Sequence, residues 1–63
     1  MQPPTYREII HRLLSEGFSE RRSAGDHRRF CKGPHRVTVR DAGSDHPSWQ
    51  EWGSIKRQAG WSE

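Results

Sequence analysis

Sixty-three residues, 29% of them hydrophobic and 30% charged, leave room for one small domain, and 11 lysines and arginines against 8 aspartates and glutamates give a net charge of +3. A chain this short buries only about 60% of the surface its unfolded form exposes, so the core is expected to be thin, and no apolar run approaches the ~20 residues of a membrane span. The single cysteine, Cys31, excludes an internal disulfide and the paired-cysteine zinc patterns that hold many small domains together.

In chain order, the start Met1-Gln2-Pro3-Pro4 has neither the charged nor the apolar region of a signal peptide, and a cytoplasmic location is expected. Tyr6, Ile9, Ile10, Leu13 and Leu14 then follow the i, i+3, i+4, i+7, i+8 series of one helix face. Thr5 and Glu8 have the spacing of a capping box, and Gly17 supplies the left-handed stop. The period next shortens to two, which predicts three strands at about Phe18 to Ser23, His27 to Lys32 and His35 to Arg40. Ala24-Gly25-Asp26 and a turn containing Gly33-Pro34 join them into an antiparallel meander. After the loop Ala42-Gly43-Ser44-Asp45, Ser48 and Glu51 repeat the capping-box spacing just past Pro47 and open a second helix. Trp49, Trp52, Ile55 and Ala59 recur at threes and fours, Gly60 ends the helix, and Trp61 is expected to fold back on its last turn and to be the tryptophan partly exposed. Gly53 is the one local violation, costing about 1 kcal/mol relative to alanine. The whole reads as a single α+β domain, 1–63, in the order α-β-β-β-α.

Strand alternation assigns side chains to faces. With Phe18, Phe30, Val37 and Val39 turned toward the helices, Arg21, His27, Arg29, Cys31, Arg36, Thr38 and Arg40 turn away. A sheet face with a histidine among four arginines attracts phosphate through counterion release and bidentate hydrogen bonds. Charged residues also belong on the solvent face of any sheet, so the pattern alone leaves nucleic-acid binding open beside a plain solvated surface.

The conjunction of a short amphipathic helix, Gly25-Asp26-His27, the Val37-Thr38-Val39 strand and Ser54-Ile55-Lys56-Arg57-Gln58-Ala59-Gly60, in that order, resembles the HicA toxin family of bacterial type II toxin-antitoxin systems. The resemblance spans nearly the whole chain. It implies a fold similar to a double-stranded-RNA-binding domain, with two helices on one face of a three-stranded antiparallel sheet. It further implies a ribosome-independent endoribonuclease acting on messenger RNA, with the histidine of a Gly-Ser-His-like segment as its catalytic residue and a HicB-type antitoxin as its protein partner. That histidine is His27 here, and Asp26 stands where the family more often has serine.

RNA carries its own nucleophile, the 2′-hydroxyl, and histidine as a class titrates near neutrality, so His27 is the candidate general base. Gly25 lets the backbone approach the substrate, while Arg21, Arg29, Arg36 and Arg40 are candidate RNA-binding residues, a role read from alternation. The leaving-group acid is either water or His35, if the hairpin end reaches back. The scheme calls for no cofactor, and no spacing of His, Asp and Glu suggests a metal site. His11 and His46 read as helix-surface and loop residues, and Cys31 as either a reactive thiol or a bystander. The expected partners are single-stranded messenger RNA and the antitoxin, with no membrane. A non-catalytic RNA-binding module, an inactivated toxin and a protein-interaction domain remain the alternatives.

Overall fold

The computed structural model describes residues 1–21 and 25–62. It runs α1 (Tyr6–Ser15), β1 (Ser19–Arg21), β2 (His27–Lys32), β3 (His35–Arg40) and α2 (Trp49–Ala59), with the strands in the order β1-β2-β3 and both pairings antiparallel. The expected α-β-β-β-α order and meander are therefore present. Of the expected first strand, Phe18 precedes β1, and Arg22 and Ser23 lie outside the described residues, as does Ala24 of the turn.

Both helices start and stop where their end residues dictate. Thr5 Oγ1 accepts from the Glu8 amide at 3.1 Å and Glu8 Oε1 accepts from the Thr5 amide at 2.8 Å, completing a capping box. The remaining exposed amides of α1 are taken by the β3–α2 loop, Tyr6 N–H donating to the Asp45 carbonyl and Arg7 N–H to the Gly43 carbonyl, both at 2.9 Å. At its end, Phe18 N–H reaches the Leu13 carbonyl and Gly17 N–H the Leu14 carbonyl, with Gly17 at φ +92°. This double closure brings the buried side chains of Leu13 and Phe18 to the same helix end. α2 closes in the same way: Trp61 N–H donates to the Lys56 carbonyl and Gly60 N–H to the Arg57 carbonyl. Gly60 is required twice over, by its φ of +79° and because a Cβ there would lie 2.7 Å from the His35 ring. The β2–β3 turn needs a positive φ at Gly33 (+58°), and since proline fixes a negative φ at the next position, only the type II′ geometry fits.

One face of the sheet carries Phe30, Val37 and Val39, and against it pack Tyr6, Ile9, Ile10 and Leu13 from α1 and Trp52, Ile55 and Ala59 from α2, with Phe18 closing one end. Two apolar residues depart from expectation. Leu14 is 47% exposed, and Trp49, expected on the buried face of α2, is 57% exposed, whereas Trp61 is partly buried as expected. The reason is geometric: at about 100° per residue a step of three falls short of a full turn by about 60°. Trp49 thus stands well round the helix from Ile55 and Ala59, just as Leu14 lies about 90° from the mean direction of its four buried companions. Trp61 does fold back. Its ring lies 6.0 Å from that of Trp52, Arg12 sits over it at 3.9 Å, and its Nε1 donates to Glu16 Oε1 at 2.7 Å.

Candidate nucleic-acid interface

Facing side chains across an antiparallel ladder share a face. The pairs Phe30↔Val37 and Arg28↔Val39 therefore look toward the helices, and His27↔Arg40, Arg29↔Thr38 and Cys31↔Arg36 look away. β1 adds Ser19, paired with Cys31, and Arg21, paired with Arg29. The alternation expected from sequence holds for these residues. Ser19 also lies on the open face; its position two residues before Arg21 was the available signal.

The open face bears a shallow depression of about 500 Å³ whose walls include Ser19, Arg21, Arg29, Cys31, Arg36 and Thr38, and which extends to Gly33 at the turn. Arg21, Arg29 and Arg36 are all exposed. Two nearby carboxylates are committed elsewhere. Glu20 takes a two-pronged hydrogen bond from Arg28, at 2.6 and 2.7 Å, and Glu16 takes Arg12 and Trp61. The pairing with Arg28 holds the Glu20 carboxyl below its usual range, and hydrogen bonds first from Trp61 and then from Arg12 do the same for Glu16.

His27 is not in the depression. It opens β2 one row further along, directly after the turn that Gly25 makes at φ +67°, and its Nδ1 lies 3.3 Å from Asp26 Oδ1. A proton on Nδ1 directed at that carboxylate leaves the Nε2 lone pair free on the other side of the ring. The backbone of the turn is tied to the end of β3, with Asp41 N–H donating to the Asp26 carbonyl at 2.6 Å. Arg40, the cross-strand partner of His27, does not join the other arginines. Its guanidinium stands 5.3 Å from the ring of the fully buried Tyr6, whose hydroxyl donates to Glu51 Oε1 at 2.7 Å. Burial first, then this bond to Glu51, raises the Tyr6 pKa, against the opposing charge of Arg40.

The expected alternative role for His35 is corrected. It pairs with Lys32 at the far end of the hairpin from His27, on the helix-covered side, with its ring at α2, where Nδ1 is 3.3 Å from the Gln58 carbonyl. Five residue pairs at about 3.4 Å each separate it from the row of His27, so it serves no leaving group there. His46 is a loop residue whose Nδ1 lies 2.6 Å from the Pro3 carbonyl, and His11 is exposed on α1. Among the described residues no three His, Cys, Asp or Glu side chains converge, and no helix is long and apolar enough to cross a membrane.

The family described as HicA toxin of bacterial toxin-antitoxin systems matches residues 6–61. The chain belongs to the HicA toxin family. The match begins at the first residue of α1 and ends at Trp61, so it takes in all five elements together with the open basic face. HicA proteins are the toxin components of toxin-antitoxin pairs and, as a family, mRNA-cleaving ribonucleases, so membership brings with it an RNA substrate and an antitoxin in general terms. No curated protein and no solved structure matches the chain significantly.

Proposed function

We propose that this chain is a toxin that cleaves messenger RNA without the ribosome, with His27 as general base, and that a HicB-type antitoxin neutralises it in the cytoplasm. The observation that carries the reading is the position of His27, exposed at the start of β2 on an arginine-bearing sheet face, within a chain that matches the HicA family from α1 to Trp61. Asp26 holds the ring through Nδ1, and Nε2 takes the proton from a substrate 2′-hydroxyl. The 2′-oxygen attacks phosphorus, the bond from phosphorus to the 5′-oxygen breaks, and the leaving oxygen takes a proton from water. Arg40, the cross-strand partner of His27, is the cation assigned to the charge that grows on the phosphoryl oxygens, its guanidinium leaving the Tyr6 ring to reach them. The products are a 2′,3′-cyclic phosphate and a 5′-hydroxyl. An acidic antitoxin surface laid over the arginine face would exclude RNA and, by binding only the folded toxin, raise its melting temperature.

Induction of the wild-type chain and of His27→Ala in a bacterial host tests this. Growth arrest with loss of intact messenger RNA is expected for the wild type alone, and cleavage by the purified variant should fall by at least about a hundredfold. Cleavage that persists in His27→Ala, or ends carrying a 5′-phosphate and a 3′-hydroxyl, would overturn the mechanism.

A further inference from the structure

His27 and the arginine depression are separate features of the open face. His27 pairs with Arg40, whose guanidinium is turned to Tyr6, in one row of the β2–β3 ladder, while the depression starts in the next row, at Arg29 and Thr38, and continues to the turn. Rows on one face repeat every second residue, at about 7 Å, a spacing comparable with the step between successive phosphates of an extended single strand. Arg21 and Arg29 stand directly opposite one another, and like charges so placed destabilise a sheet. Arg36 completes the cluster from β3, and none of the three has a hydrogen-bond or ion-pair partner among the described residues. Folding gains nothing from this arrangement, whereas an anion seated between the guanidinium groups would turn the repulsion into attraction. No phenylalanine, tyrosine or tryptophan side chain of the strands points to this face, Phe30 being fully buried beneath the helices. Bases therefore find no aromatic platform here, and what the depression offers is charge and guanidinium hydrogen bonds, which read the backbone.

We propose that the Arg21, Arg29 and Arg36 depression is a second phosphate site, which holds a non-scissile phosphate of single-stranded RNA while the adjoining phosphodiester lies at His27. The proposal rests on the ribonuclease reading only for what happens at the first site. It makes two adjacent phosphates the smallest well-held substrate and leaves the base between them unspecified.

The probe is a 2′-O-methyl dinucleotide, which cannot be cut through its 2′-oxygen, compared with the same molecule bearing a terminal phosphate. Each is titrated by NMR at fixed ionic strength into the wild type, Arg36→Gln, the Arg29→Gln/Arg36→Gln double variant and Arg57→Gln, an exposed arginine on α2. Dispersed amide spectra establish that every variant is folded. The added phosphate should tighten binding about tenfold in the wild type and in Arg57→Gln, by less in Arg36→Gln, and by under twofold in the double variant. Equal gain in all four proteins would mean that net charge alone attracts the probe, and no gain in the wild type would mean that no second site exists; either result sinks the proposal. Because these complexes form without chemistry, failure to cleave RNA in a separate assay removes the ribonuclease reading and leaves this site standing.

Discussion

The two faces of the sheet handle charge in opposite ways. Toward the helices, Arg28 is locked to Glu20, Arg12 and Trp61 share Glu16, Lys32 Nζ donates to the Glu16 carbonyl at 2.7 Å, and Tyr6 is tied to Glu51. On the other face three arginines stand together with no carboxylate partner among the described residues, two of them directly opposed. Paired charges close the edges of a core that is short of apolar residues. The arginines of the open face have no such partner among the described residues, which is what the proposed phosphate site rests on.

The comparison breaks first at the core. Phe30 is fully buried between the helices and the sheet, and Phe30→Ala should cost about 3 to 5 kcal/mol, a large share of the total stability of a small domain. Urea denaturation followed by circular dichroism checks this, and a loss under about 1 kcal/mol would mean that the helices do not rest on this side chain. Next in size is acidification, which attacks the paired side selectively. Glu8, Glu16 and Glu20 have folded pKa values below the ordinary 4.5, through hydrogen bonds from Thr5, Trp61 and Arg28 respectively. The unfolded chain therefore takes up these protons first as pH falls, so the stability they lend above about pH 4.5 is lost progressively below it. The melting temperature should decline from pH 5 to pH 3, and a flat profile would show these contacts to be idle.

A gain comes third. A Cβ at Gly53 would meet nothing within 4 Å, so Gly53→Ala should stabilise the protein by about 0.5 to 1 kcal/mol, measured by the same urea midpoint. Smallest is the effect of Arg29→Gln on stability. Relief of its opposition to Arg21 should leave the free energy of unfolding within about 0.5 kcal/mol of wild type or slightly above it, while affinity for a single-stranded RNA falls. A substantial loss of stability would mean that Arg29 belongs to the fold rather than to the partner.

The elements were legible because their ends are written in local chemistry. Thr5 with Glu8, Ser48, Gly17, Gly33 and Gly60 each act within a few residues of themselves, and β2 and β3 have the expected bounds. The face assignment of Arg21, His27, Arg29 and Arg36 was equally local, needing only alternation anchored on Phe30 and Val37. What escaped depends on direction in three dimensions. Whether Trp49 or Trp61 meets the core is set by the angle at which α2 crosses the sheet and by an acceptor, Glu16, that lies 45 residues away. The departure of Arg40 from the other arginines depends on Tyr6, on α1, and the exclusion of His35 depends on α2.

The contacts that finish α1 come from the loop before α2 and from α2 and the residues after it. The amides of Tyr6 and Arg7 are received by Asp45 and Gly43, the buried Tyr6 hydroxyl by Glu51, and Glu16 by Trp61. Until those residues are made, the Tyr6 and Arg7 amides and the Tyr6 phenol have water alone as partner, and burying them without their acceptors costs free energy. The first helix is therefore completed by residues translated later, and a chain interrupted before Glu51 would lack the acceptor for the Tyr6 hydroxyl and the Trp52, Ile55 and Ala59 part of the core.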